Sequence, residues 1–380
     1  MIYFDSAATT LQKPLAVRKQ AAYAIHHLSS PGRGGYAAAT KAAETAFSCR
    51  EAAGKLFHLS PERIVFTSNA THGLNLAIKS VVHPGDQVLI SGYEHNAVTR
   101  PLYAIPHVVC RIAAAPLFQP EAMLEEMRAE LAAGVSAVIC THVSNVFGYV
   151  LPMDKIAALC RRYHVPLIVD ASQSAGVLPV DCDGWGAAYV AMPGHKGLYG
   201  PQGTGLLLCG LGAEPQPLLE GGTGSLSKQK EMPDFLPDRL EAGTHNMPGI
   251  AGLLAGIQFV SRQGTEKIIN HEWRLIQQAV KGMSHMEGIR LFQSAHQAQQ
   301  SGVLSFQVSG IDCQEVAQWL ARKEIAVRAG LHCAPLAHRT AGTWEAGTIR
   351  MSVSAFNTEG EIFYFLEQMR ILLQNRGKKR

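Results

Sequence analysis

Short, largely apolar runs alternate with helical stretches over the first two thirds of this chain, and that alternation limits the fold more than any other feature. The runs are Ile64-Val65-Phe66-Thr67, Gln87-Val88-Leu89-Ile90, Ala137-Val138-Ile139-Cys140, Pro166-Leu167-Ile168-Val169, Ala187 to Met192 and Gly203 to Leu208. A strand that is apolar on both faces must be covered on both faces. Strands of this kind separated by helices imply an α/β fold with a mostly parallel central sheet. Ligands of such sheets sit beyond the carboxyl ends of the strands, so the residues just past each run are the candidates for chemistry.

After about residue 250 the pattern changes. A long helical stretch is expected from Gly249 through Met283, then a strand at Gly302 to Val308 and a helix at Cys313 to Lys323. A strand at Thr348 to Val353 follows. An amphipathic helix from Glu359 to Gln374 closes the chain, with Ile362, Phe363, Leu366, Met369 and Leu373 on one side. This reads as a smaller α+β domain. A chain of 380 residues is too long for one core, so two domains are expected. They are a large one over 15–255 and a small one over 256–380 that also takes in 1–14. No repeat or low-complexity linker separates them, so a wide contact is expected.

Net charge is +4 and scattered, apart from Arg376, Lys378, Lys379 and Arg380 at the end. That cluster reads as a solvated tail, and no nucleic-acid partner is expected. Neither a secretory leader nor a long uncharged apolar run is evident, so a cytoplasmic protein without a membrane span is expected. The eight cysteines include no C-x-x-C pair, so no metal site is expected and most should be small, reduced core residues.

Five segments place polar groups after these strands. Gly194-His195-Lys196-Gly197 sets a lysine between glycines, where a partly desolvated amine can form a Schiff base. Asp170 ends a strand, and such a carboxylate can hold a ring nitrogen protonated, act as a metal ligand or cap a helix. Ser68-Asn69-Ala70-Thr71 opens a helix with free backbone N–H groups, suited to a phosphate. His95 in Tyr93-Glu94-His95-Asn96 can stack on a flat ring or move protons, and Asn145 can bond a phenolic oxygen.

Together these residues resemble the cysteine desulfurases of the class V aminotransferase family, most closely their SufS-like branch. The resemblance runs from Asp5-Ser6-Ala7-Ala8-Thr9-Thr10 to Phe356-Asn357-Thr358. It implies the fold-type-I architecture of pyridoxal 5'-phosphate (PLP) enzymes. Lys196 would carry the cofactor, His95 would stack on its ring and Asp170 would pair with the ring nitrogen. Asn145 and Gln173 would contact the phenolic oxygen and the substrate, while Ala70, Thr71 and His195 would hold the phosphate. The family is dimeric, and Ala242-Gly243-Thr244 would bring Thr244 to the neighbouring subunit's phosphate.

In the same comparison, Val327-Arg328-Ala329-Gly330-Leu331-His332-Cys333-Ala334-Pro335 resembles the segment bearing the nucleophilic cysteine. Cys333 would take sulfur from L-cysteine as a persulfide, leaving alanine, and pass it to an acceptor protein in sulfur metabolism or iron–sulfur cluster assembly. Arg350 would clamp the substrate carboxylate with Arg328 nearby, and His332, Arg328 or the cofactor would favour the thiolate. A selenocysteine lyase or an aminotransferase on the same fold is the alternative, and a sulfur-carrier scaffold without catalysis a further one. One departure is clear. Pro193 stands where the family usually has a serine or threonine on the phosphate, and proline offers neither hydroxyl nor N–H. Thr223 or Ser225 are the candidates to replace it. The segment 224–237 also differs from the hairpin expected of the SufS-like branch.

Overall fold

A computed structural model describes residues 1–32 and 34–377. Lys378, Lys379 and Arg380 of the basic end lie outside the described residues, and Arg376 sits in the last helical turn before them.

Among the described residues the central sheet has seven strands, in the order Ile64–Thr67, Gly205–Cys209, Tyr189–Pro193, Leu167–Asp170, Ala137–Thr141, Gln87–Ser91 and Val109–Ala113. All neighbours run parallel except at Gly205–Cys209, which is antiparallel to both strands beside it. Alternate residues of each strand feed opposite layers. Leu89, Val138, Val169, Val190 and Leu206 enter one core cluster, while Ile90, Ile139, Ile168, Ala191 and Leu207 enter another. This two-sided burial is why the runs are apolar throughout. The edge strand Val109–Ala113 is largely exposed, so it lacks the apolar signature that marks its neighbours.

A second, four-stranded antiparallel sheet joins Arg328–Gly330, Thr348–Ser352, Val303–Val308 and Ile289–Phe292 in that order. Its core draws on three helices, Thr265–Met283, Cys313–Ala321 and Glu359–Gly377. The start of the chain belongs to this layer. Ile2–Tyr3 pairs in parallel with Ile325–Ala326, and Phe4 is fully buried edge-on to Phe365.

Two details correct the sequence reading. The stretch expected as one helix from Gly249 to Met283 is two helices, Met247–Gln263 and Thr265–Met283, parted at Gly264 with φ 82°. That angle is natural for glycine and ends the first helix. In the closing helix Phe363 faces outward at 63% exposure, and Phe365 takes the inward place beside Ile362, Leu366 and Met369. The buried stripe follows i, i+3, i+4, i+7, which position 363 does not satisfy.

Candidate active site

The carboxyl ends of the central strands converge on a cavity of 210 Å³. Ala70, Thr71, His95, Asn145, Asp170, Gln173, Pro193, His195 and Lys196 all line it. Of the nine residues expected to hold a cofactor, only Thr244 lies elsewhere in its own chain.

Asp170 is the last residue of its strand, 2% exposed, and its Oδ1 accepts the Ser172 N–H at 2.9 Å. Lys196 follows the end of Tyr189–Pro193 in the turn that the glycines permit. Burial pushes its amine down to about 8, Asp170 acts in the opposite sense, and Arg350 adds to the lowering. A lysine so depressed supplies neutral amine near neutral pH, as imine formation requires.

His95 caps the helix Asn96–Tyr103, its Nδ1 accepting the Ala97 N–H at 3.0 Å. Burial first, and Lys196 among the nearby charges, push the imidazole down to about 4 against the pull of Asp170. The ring is therefore neutral, and because Nδ1 accepts, the proton resides on Nε2. Beneath it Glu94 is fully buried. Its Oε1 accepts from Ser91 Oγ at 2.5 Å and from the Thr141 N–H at 2.7 Å, joining two strand ends under the site.

At another wall Asn69 caps the helix Ala70–Val81, its Oδ1 accepting the His72 N–H at 2.9 Å. The N–H groups of Ala70 and Thr71 have no partner within the helix, which leaves an anion-binding end. His195 Nδ1 lies 3.0 Å from Thr9 Oγ1, and its carbonyl accepts from Lys13 Nζ at 2.9 Å. Burial first, then Lys196 and Lys13, push the His195 imidazole down to about 4.

Cys333 is the exposed member of the eight cysteines. It and His332 both adopt left-handed backbone, with φ 57° and 50°. Two such non-glycine residues in succession are strained, and three contacts hold them. Asn145 Nδ2 donates to the His332 carbonyl at 2.8 Å, and the Asn96 N–H donates to the Cys333 carbonyl at 2.8 Å. The His332 Nε2 sits 3.1 Å from Thr348 Oγ1. Burial, with Arg350 next, drives the His332 imidazole well below its usual range. The same burial disfavours a positive charge on His332 beside the thiol.

Arg350 is 2% exposed. Its guanidinium donates to Asp5 Oδ1 at 2.6 Å and to the Asn145 carbonyl at 2.9 Å, while Nε has no partner among the described residues. Arg328 stands opposite Arg350 in the antiparallel register and is exposed. The carboxylate on Arg350 here thus belongs to the protein itself, a role that Asp5 did not announce in the sequence. Thr9, Lys13 and Glu94 were likewise silent, since each acts through a fold contact rather than through a local motif.

Pro193 lines the cavity without a hydroxyl. Thr223 and Ser225 line a different pocket, and Ser225 Oγ donates to Asp238, so neither reaches the cavity of its own chain. Thr244 is exposed beside Ser68 and His72 in a neighbouring pocket. Its segment is anchored by Glu241, which takes a bidentate Arg50 contact at 3.0 and 2.6 Å and lies 2.7 Å from His245 Nε2.

An orphaned Asn145 Oδ1, a free helix end, a buried carboxylate and a depressed lysine around one cavity fit a flat, anionic heteroaromatic aldehyde.

The aminotransferase class-V family model matches residues 2–365. A probable cysteine desulfurase of Methanothermobacter thermautotrophicus is 31% identical over 373 residues, covering 95% of this chain and 92% of that protein. A probable cysteine desulfurase of Mycolicibacterium paratuberculosis is 32% identical over 381 residues; these cover 97% of this chain but only 55% of that longer protein. The apo structure of a cysteine desulfurase from Thermococcus onnurineus NA1 matches with a TM-score of 0.90 at 27% identity, covering 98% of this chain and 95% of that one.

Proposed function

Because the chain belongs to the aminotransferase class-V family, we propose that it is a PLP-dependent cysteine desulfurase, converting L-cysteine to L-alanine with a persulfide formed on Cys333. The observation that carries this reading is the exposed Cys333 on a strained loop bonded to Asn96 and to Asn145, the latter lining the cavity that holds Lys196 and Asp170.

PLP, when bound, supplies an electron sink for the substrate Cα. Lys196 would hold it covalently, Asp170 its ring nitrogen and His95 its ring face. The helix end at Ala70 and Thr71, with His195, would hold its phosphate. Asn145 and Gln173 would bond its phenolic oxygen; Gln173 also donates to the Ala7 carbonyl at 2.9 Å. The residues do the rest. Arg350 orients the substrate carboxylate, and its planar fork suits a bidentate contact. The neutral Lys196 amine moves the Cα proton. The Cys333 thiolate attacks the substrate sulfur, so that an S–S bond forms as the C–S bond breaks and the carbon fragment gains a proton to become alanine. Thr244 would complete the phosphate site of the second subunit of a homodimer, and a sulfur-acceptor protein would unload Cys333.

The purified protein tests this in one tube. A visible band that shifts on adding L-cysteine while sulfide and alanine both appear supports the reading. A band without those products sinks the desulfurase and points to L-selenocysteine or to amino-acid and keto-acid pairs.

A further inference from the structure

A second cavity adjoins the first and has no part in the proposed reaction. Its volume is 30 Å³, and Lys196 and Gln173 line both. Glu272, from the helix Thr265–Met283, also lines it and is 4% exposed. Burial alone perturbs this carboxyl, pushing it up to about 8, and it makes no hydrogen bond or ion pair with any described residue. Ser301 Oγ, in the same wall, is likewise buried without a partner. Gly302 leaves the room Glu272 needs, since a Cβ there would lie 2.3 Å from Glu272 Oε2.

Buried polar groups without protein partners bond to water, and a void of this size admits it, since about 10–15 Å³ suffices for one molecule. The ionisable groups on the cavity are Lys196, Glu272 and Tyr199. Tyr199 accepts the Ala355 N–H at 2.9 Å, and burial drives its hydroxyl far above the usual range, so it keeps its proton. The remaining lining side chains carry no charge. Charges bearing on Lys196 from surrounding elements are Asp170, Arg350, Arg328 and Asp5. On the Glu272 side, His271 is turned to the Asn357 carbonyl at 2.9 Å.

We propose that water in this chamber joins Lys196 and Glu272 into a pair sharing one proton, with Glu272 as the internal acceptor when the Lys196 ammonium becomes an amine. An N–H bond breaks at Nζ and an O–H bond forms on the Glu272 carboxylate, the water between them exchanging hydrogen bonds. The ammonium and carboxylate become amine and acid, so the chamber's net charge is unchanged and no counter-ion enters. Burial lowers the proton affinity of Lys196 and raises that of Glu272, so desolvation favours the amine and acid over the ammonium and carboxylate. Lys196 thereby reaches its nucleophilic form without releasing a proton into the cofactor cavity.

The test uses the full chain stripped of any cofactor, so failure of the PLP reading leaves it intact. Infrared spectra follow the carbonyl band of protonated Glu272 against pH, and reductive methylation read by peptide mass follows the free amine of Lys196. The Glu272→Gln variant, nearly identical in shape, should abolish the band and lower the pH midpoint of Lys196 reactivity. In Lys196→Met the Glu272 band should persist to higher pH. The two shifts should be equal, about one pH unit, because coupled sites perturb each other reciprocally. Gly302→Ala, which crowds the carboxyl, should reduce both the Lys196 shift and the band. Midpoints that stay put in the variants would overturn the pairing. So would the absence of an acid band in the wild type, which would mean an ionised Glu272 balanced by an entering cation.

Discussion

Asn96 donates its backbone N–H to the Cys333 carbonyl at 2.8 Å. Asn96 follows His95 and opens the helix that His95 caps, so this bond fixes the thiol's loop to the turn presenting the imidazole. The loop's other carbonyl, on His332, is held by Asn145. The thiol's loop is thereby tied through its carbonyls to segments that border the cavity.

Removing the thiol should separate chemistry from binding. Cys333→Ala is expected to retain the fold and the cofactor band while sulfide release from L-cysteine falls roughly 10²-fold or more. Steady-state sulfide assays beside the visible spectrum measure both.

Lys196 should react as an unusually free amine. Its proton affinity is lowered from 10.5 to about 8, so near pH 7 its neutral fraction should exceed that of an ordinary lysine roughly 300-fold. The sign follows from the direction of the shift. Reactivity is full above pH 8 and falls about tenfold for each unit below it. Competitive labelling with trace acetic anhydride, read against an exposed lysine such as Lys155, checks the profile in the cofactor-free chain. A midpoint near 10 would contradict it.

In the proposed reaction the Asp5–Arg350 pair would couple stability to substrate binding. Asp5→Asn keeps an acceptor but removes the charge opposite a buried guanidinium, and should cost about 2 kcal/mol in denaturant unfolding. Arg350→Lys loses the planar fork, and should raise KM for L-cysteine at least about tenfold with a smaller change in kcat.

Arg50 anchors the segment that carries Thr244 through its buried pair with Glu241. Arg50→Ala leaves Glu241 buried with only His245 and the Phe66 N–H as partners, so a loss of about 3 kcal/mol is expected. Guanidinium-chloride titration measures it. An unchanged midpoint would remove the network from the account of this segment.

Much of this was legible in the sequence because two-sided burial writes itself into consecutive apolar residues. The strands ending at Thr67 and Asp170, and the run Ala187 to Met192 that in fact ends at Pro193, could be read from that signal, while the roles of the groups past them came from the family resemblance. What stayed hidden depends on contacts between distant segments. Asp5 meets Arg350 across 345 positions, and Lys13 meets the His195 carbonyl across 182. No local pattern encodes such pairs. The edge strand Val109–Ala113 was missed because exposure erases the apolar signature, and Gly264 because one glycine inside a helical pattern does not say whether it bends or breaks it. Glu272 was invisible for a further reason, since on a helix an acid reads as solvated until the packing is known.

In the proposed reaction sulfur leaves L-cysteine onto Cys333. The cofactor-loaded protein, given a single equivalent of L-cysteine without reductant, is digested and the Cys333 peptide weighed while alanine is assayed. This peptide should gain one sulfur atom, in step with the alanine formed, and the other cysteine peptides should not. Alanine or sulfide produced with Cys333 unmodified, or equally well by Cys333→Ala, would contradict it.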